Sequence, residues 1–148
     1  MKKSLFRIAD FLELCTAYIF CFSLNLFLDY AKTLDLDSYI LKTFFENFTN
    51  YQQLIVLLFT IIVIVFHYQM LHRKKIEIFC RILVGDTIFN ITIRYVLNCF
   101  TILIFVYLLS SLVKGYSNFN LSNNFYLVPI FITYILISAR EVRKYENF

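Results

Sequence analysis

Leu54–Leu71 reads LIVLLFTIIVIVFHYQML, a stretch without a single fixed charge. Its length is close to the roughly 20 residues that an α-helix needs to cross the hydrocarbon core of a bilayer. The many Ile and Val residues would also suit a β-strand, but the stretch is too long for one. The sequence therefore predicts a membrane-spanning helix here.

The rest of the chain has the same character. Of its 148 residues 60% are hydrophobic and 16% charged, against roughly 45–50% apolar residues in soluble domains. Three further spans are predicted at about 11–28, 91–113 and 125–139, and Pro129 near the start of the last one costs that helix little. The predicted fold class is an all-α integral membrane protein, in which residues 1–148 form a single domain with four transmembrane helices.

The distribution of Lys and Arg predicts the orientation. Eleven of the fourteen lie in Met1–Glu13, His72–Arg94 and Arg140–Phe148, and three lie in the two remaining connections. Positively charged connections stay in the cytoplasm, so both termini and the central connection are expected there. The composition, with 18 Phe and no Trp, is typical of an AT-rich genome, which favours a bacterial cytoplasmic membrane or, as the alternative, the mitochondrial inner membrane.

A basic segment follows the Leu54–Leu71 span. Within Arg73–Gly85 the apolar residues recur at helical spacing, and Glu77 and Arg81 form an i,i+4 pair on the polar side. Such a segment is too short to span, so we expect a short amphipathic helix along the cytoplasmic face, ended by Gly85. The alternative is a solvated basic connector. The residues that form this apolar stripe are Ile76, Phe79, Cys80 and Leu83.

A polar face is predicted on the third span. Its residues are spaced by three and four positions, so they share one side of a helix, and in hydrocarbon they should pack on protein rather than lipid. We expect Arg94 to pair with Asp10 or Glu13 at the start of the first span; in the alternative, Arg94 extends to the phosphate headgroups. The members of this face are Thr87, Asn90, Arg94, Asn98 and Thr101.

Catalytic and metal-binding motifs are not found in the sequence. The four cysteines show no CxxC spacing, and His67 and His72 have no carboxylates or thiols at ligand spacing. The sequence has neither a phosphate-binding glycine-rich loop nor a basic patch typical of nucleic-acid binding. We therefore expect a protein that is not an enzyme by itself, with no cofactor, no metal and no nucleic-acid partner.

The central connection resembles that of FtsX/MacB-type ABC permeases, whose pattern is R-x-x-E-I-x-x-x-R/K-x-x-G-A. Here Arg73-Lys-Lys-Ile-Glu77-Ile78, followed by Arg81-Ile-Leu-Val-Gly85, resembles that pattern. The family usually carries a large extracytoplasmic domain between its first two helices, where this chain has only Asp29–Gln53. The resemblance implies a coupling helix that contacts a separate ATPase through Lys74, Lys75, Glu77, Arg81 and Gly85.

The expected function is thus the permease subunit of an FtsX/MacB-like ABC system, which couples an ABC ATPase subunit to peptide export or transmembrane signalling. The short outer connection suggests a second, larger permease subunit as a further partner beside the lipid bilayer. Two alternatives are a non-catalytic structural subunit of a larger membrane complex, such as an organellar respiratory assembly, and a small bacteriocin-immunity or accessory membrane protein.

Overall fold

A computed structural model describes residues 6–35, 37–116 and 125–145 of the chain. These residues contain five α-helices and no β-strand, which confirms the predicted all-α class for this part of the protein. The helices are α1 (Ile8–Ala31), α2 (Tyr39–Asn50), α3 (Gln52–Leu83), α4 (Ile88–Tyr116) and α5 (Leu127–Lys144).

Three helices are long and apolar enough to cross a membrane, namely α1, α3 and α4. They contain the first three predicted spans, and their length and composition are consistent with an integral membrane protein. The fourth predicted span lies in α5, which has 18 residues but includes four charged residues near its C-terminus. The fourth crossing and the cytoplasmic position of both termini stay predictions. The four charged residues are Arg140, Glu141, Arg143 and Lys144.

The four long helices form one bundle around an apolar core. Helix α1 packs against α3 and α4, and α5 packs against the same two helices, so α3 and α4 lie across the diagonal. Asp10 at the start of α1 pairs with Lys74 late in α3, whereas Asp29 at the end of α1 faces Lys114 at the end of α4. Helices α1 and α4 therefore run in one direction and α3 in the other.

Helix α3 is longer than predicted. We expected Arg73–Gly85 to form a separate amphipathic helix lying along the membrane, but α3 continues without a break from Gln52 to Leu83. The expectation of a separate helix is wrong because neither Gly nor Pro occurs between Leu71 and Val84 to end the helical hydrogen bonding.

The predicted end of this helix at Gly85 is confirmed. Gly85 has a φ of 95°, the left-handed conformation that glycine adopts without steric cost. Its N–H donates to the Ile82 carbonyl at 3.0 Å, and the Asp86 N–H donates to the Arg81 carbonyl at 3.0 Å. These two bonds form a Schellman motif, which satisfies the last carbonyl groups of α3.

Polar side chains lie at both ends of the bundle, which we name the Asp10 end and the Asp29 end. Asp10 and Asp29 are 19 positions apart on α1, or about 28 Å at the helical rise. Arg94 and Lys114, at the corresponding ends of α4, are 20 positions apart, or about 30 Å. Both spans match the thickness of a hydrocarbon core, about 30 Å, so the two polar ends fit the two boundaries of a membrane.

The native cysteines provide a test of this arrangement. Cys80 is exposed on α3 beyond Lys74, whereas Cys15, Cys21 and Cys99 are buried in the bundle. In a bacterial host, a membrane-impermeant maleimide should label the protein in inverted vesicles but not in intact cells, because positive-inside topology places Cys80 in the cytoplasm. The measurement is the gel shift of the labelled chain.

Cys80→Ser is the control and should abolish labelling. Labelling of Cys80 in intact cells would contradict the predicted orientation. Labelling of the Cys80→Ser variant in native membranes would contradict the packing of the bundle.

Candidate functional site

A chain of hydrogen bonds crosses the middle of the bundle, and we call it the central hydrogen-bond chain. The Tyr18 hydroxyl lies 2.7 Å from His67 Nε2, and His67 Nδ1 lies 2.9 Å from the Tyr95 hydroxyl. The Tyr95 hydroxyl lies 3.0 Å from Ser138 Oγ. All four side chains are buried, and each belongs to a different helix of the bundle.

The donor and the acceptor in each of these bonds follow from Ser138, the last residue of the central hydrogen-bond chain. Ser138 Oγ donates its only proton to the α5 carbonyls of Tyr134 and Ile135, at 2.8 and 3.0 Å. Ser138 must then accept from Tyr95, which has no other proton to give to His67. His67 therefore donates from Nδ1 to Tyr95 and accepts at Nε2 from Tyr18. Every proton has an acceptor when His67 is neutral.

One link of the central hydrogen-bond chain joins two helices that otherwise have little contact. Its His67–Tyr95 bond joins α3 to α4 across the diagonal of the bundle. Aromatic packing encloses it, with the Tyr18 and Phe131 ring centroids 4.8 Å apart and those of Phe6 and Tyr95 5.8 Å apart. In the described part of the chain, no group of His, Cys, Asp and Glu is suited to a metal. The hydrogen bonds restrict how the four helices can rotate relative to one another, because a rotation would leave buried polar groups unpaired.

Sequence reasoning missed this site. His67 was considered only as a metal ligand, and Tyr18, Tyr95 and Ser138 were not singled out. One signal was present, because an ionisable residue within an uncharged membrane span generally faces the protein interior and has a partner there. Nothing in the spacing along the chain indicates which residues on other helices are those partners.

The Asp10 end contains a network of ion pairs. Lys74 Nζ lies 2.7 Å from Asp10 Oδ2 and 3.6 Å from Glu77 Oε2, and Arg81 bonds to Glu77 at 2.9 Å. Arg73 pairs with Glu13 in two hydrogen bonds. These contacts join the basic segment of α3 to the start of α1.

The predicted pairing of Arg94 with Asp10 or Glu13 is wrong. Arg94 instead bonds to Asp86 at 3.2 Å, in the connection just before α4. Asp10 and Glu13 face α3 instead, where Lys74 pairs with Asp10 and Arg73 pairs with Glu13. Asp86 lies two residues before the start of α4, and its carboxylate meets the guanidinium of Arg94, which lies in the second turn of that helix.

The residues predicted to contact an ATPase differ in accessibility. Lys74 is buried inside the bundle, whereas Lys75, Glu77 and Arg81 are half-buried and Gly85 is exposed. Lys75 Nζ lies 5.9 Å from the centre of the Tyr145 ring. Four of the five residues are therefore accessible to a partner, whereas Lys74 is enclosed in the bundle.

Within the described residues, the predicted polar face of α4 is covered only in part. Thr87, Asn90 and Thr101 are exposed, and Arg94 and Asn98 are half-buried. The buried side of α4 carries Tyr95, Cys99 and other residues instead. Asn98 and Thr101 line a pocket with Ile8 and Phe11 of α1. The expectation that this face packs on protein is therefore met only in part within the described residues.

Amide and carboxylate groups hold the Asp29 end together. Gln52 Nε2 donates to Asn25 Oδ1 at 2.9 Å and to Asp29 Oδ1 at 2.8 Å, and the Tyr126 hydroxyl donates to Asn25 Oδ1 at 3.1 Å. These bonds join the end of α1 to the start of α3 and to the residue that precedes α5.

No family model, no curated protein and no solved structure matches this chain. The resemblance to FtsX/MacB-type permeases, which extends over about Leu54–Lys144, thus stays a prediction.

Substitution of His67 should reveal the central hydrogen-bond chain. His67→Leu leaves the Tyr18 hydroxyl without its acceptor and Tyr95 without its donor, and each buried polar group left unpaired costs about 1–3 kcal/mol. The triple variant His67→Leu/Tyr18→Phe/Tyr95→Phe removes these unpaired groups and should be more stable than the single variant. Unfolding by SDS in mixed micelles measures both.

Tyr68→Phe is the matched control, because Tyr68 neighbours His67 but points away from the core and is exposed. It should unfold like the native chain. A single variant as stable as the native protein, or a triple variant less stable than the single one, would contradict the role of the central hydrogen-bond chain.

The Asp10–Lys74 pair should behave similarly. Lys74→Met leaves a buried carboxylate without its cation and should lower the free energy of unfolding by about 1.5–3 kcal/mol. Asp10→Leu/Lys74→Met, which removes both charges, should recover part of this loss. The exposed pair of Lys144 and Glu141 is the control, and Lys144→Met should have no measurable effect. Failure of the double variant to recover any stability would contradict the pair.

Proposed function

We propose that this chain is the permease subunit of an ABC-type system and that a separate ATPase binds the connection between α3 and α4. Support comes from how far this connection extends beyond the bundle. Nine residues of α3, Lys75–Leu83, follow the Lys74 position at the Asp10 end, which is about 13 Å of helix. The connection therefore projects beyond the membrane boundary into the aqueous phase.

The main support for the proposal is the set of side chains exposed on this projecting end of α3. Ile76 is 76% exposed, Leu83 70% and Val84 89%, and the ion pair of Glu77 with Arg81 lies beside them. A cluster of apolar side chains exposed on a water-facing tip and bordered by charges is typical of a protein-docking surface. Gly85 maintains the tight turn that presents it.

The interior contacts of the same segment would carry movement into the membrane. Lys74 and Arg73 tie it to Asp10 and Glu13 on α1. Because α3 is one uninterrupted helix, displacement of its tip by an ATPase would move its far end as well. In this proposal α3 acts as a rod that couples ATP hydrolysis on the partner to peptide export or signalling.

A second candidate function is that of a structural subunit, and the exposed polar face of α4 favours it. Asn98 has no hydrogen-bond partner among the described residues, and it lies about 6 Å further into the membrane than Arg94 at the helical rise. A polar amide facing lipid costs free energy unless a neighbouring chain pairs with it. Such a neighbour could be the second, larger permease subunit or another member of a membrane complex.

A pull-down in gentle detergent tests the proposal. The tagged native chain should co-purify with an ABC ATPase, whereas Glu77→Lys/Arg81→Glu and, separately, Leu83→Ser/Val84→Ser should lose it. The first variant reverses the charges presented to a partner and keeps an i,i+4 pair, but it also places a lysine beside Lys74. The second variant changes only exposed side chains and is therefore the decisive one.

Lys42→Glu/Glu46→Lys is the matched control, because it makes the same i,i+4 exchange on exposed residues of α2 at the opposite end. It should retain the ATPase. Recovery of other membrane subunits without an ATPase, unaffected by the tip variants, would overturn the permease proposal and favour the structural subunit.

A further inference from the structure

Helix α2 has two sharply different faces. Its sequence is YILKTFFENFTN, and Leu41, Phe44, Phe45 and Phe48 recur at i, i+3, i+4 and i+7 along one side. The Phe44 ring centroid lies 5.4 Å from that of Phe48 and 5.9 Å from that of Phe45, so the side chains form a continuous apolar stripe. The opposite side carries Lys42, Thr43, Glu46 and Asn50.

The bundle leaves most of this stripe exposed. None of the residues of α2 is buried, and Phe44 is 57% exposed. Phe45 and Thr49 are half-buried, so the helix contacts the remainder of the chain along one edge only. Exposed to water, a stripe of this kind would favour aggregation, because contiguous apolar patches are normally covered by a partner or a membrane.

The position of α2 indicates what covers it. A single residue, Tyr51, separates α2 from α3, and Gln52 directly after it bonds to Asn25 and Asp29 at the Asp29 end. That polar end fits one boundary of the hydrocarbon core. Helix α2 is thus attached at the level of the lipid headgroups, next to the lipid-facing surface of α3.

Tyrosines mark the same level. Tyr30, Tyr51 and Tyr116 are exposed near the Asp29 end, and Tyr126 bonds to Asn25 there. Tyrosine is enriched at membrane–water interfaces because its ring is apolar and its hydroxyl is hydrated. These tyrosines therefore indicate that the membrane–water interface lies at the Asp29 end, and this indication does not depend on the apolar stripe of α2.

We propose that α2 lies in the plane of the membrane interface at the Asp29 end, with its apolar stripe buried among lipid acyl chains and its polar side in water. The Lys42 and Glu46 charges cancel, so zwitterionic phospholipid is sufficient and anionic lipid is not required. Helix α2 thereby fixes the depth at which α1 ends and α3 begins. This inference does not depend on the function proposed above.

Fluorescence quenching tests the proposal cleanly because the chain contains no native Trp. Single Phe44→Trp and Glu46→Trp variants of the full chain are reconstituted in phosphatidylcholine vesicles, with or without lipids brominated at shallow acyl positions. Phe44→Trp should emit at shorter wavelength and lose most of its emission to brominated lipid. Glu46→Trp, on the opposite side of the helix, should be quenched by aqueous acrylamide instead.

Three outcomes would overturn the proposal. Equal quenching of both variants by acrylamide would place α2 in water, and equal quenching of both by brominated lipid would embed the whole helix. Protection of Phe44→Trp from both quenchers would show that protein covers the stripe, whether another segment of this chain or a second copy. Phe48→Trp provides a second reporter on the stripe should Phe44→Trp fail to fold.

Discussion

The hydrogen bonds that join Tyr18, His67, Tyr95 and Ser138 determine how the four long helices face one another. Within a membrane, burial of apolar side chains selects weakly among helix rotations, because lipid is as apolar as leucine. A buried imidazole with two hydroxyl partners is satisfied in few arrangements, and rotation of α3 would leave several polar groups unpaired in hydrocarbon. The orientations of α1, α4 and α5 follow from that requirement.

The polar groups at the two ends add a constraint on depth. Asp10 with Lys74, and Asp29 with Gln52, bound an apolar slab whose thickness matches a bilayer core. The central hydrogen-bond chain thus fixes the rotation of the helices about their axes. The polar groups at the two ends fix the position of the helices along the membrane normal. Both act on α3, the longest helix.

This makes α3 the element through which a signal could cross the bundle. One end projects into the aqueous phase with apolar side chains exposed, its middle holds His67, and its beginning adjoins the amphipathic α2. If α2 is held in lipid, the beginning of α3 is held at a constant depth in the membrane. A displacement of the other end of α3 then tilts the helix about its beginning. The proposed coupling role and the proposed interfacial helix are thereby mechanically compatible, although each stands on its own observations.

Local sequence patterns were enough to predict the helical class, the three long apolar helices and the end of α3 at Gly85, because these depend on periodicity, length and backbone conformation within one segment. The same patterns predicted the Glu77–Arg81 pair, which lies within a single helix. The pairing of Arg94 with Asp86, and the bonds of His67 to residues 49 and 28 positions away, become visible only once the helices are packed together. Spacing fixes which residues share a face of a helix, but the neighbour of that face depends on how the helices pack.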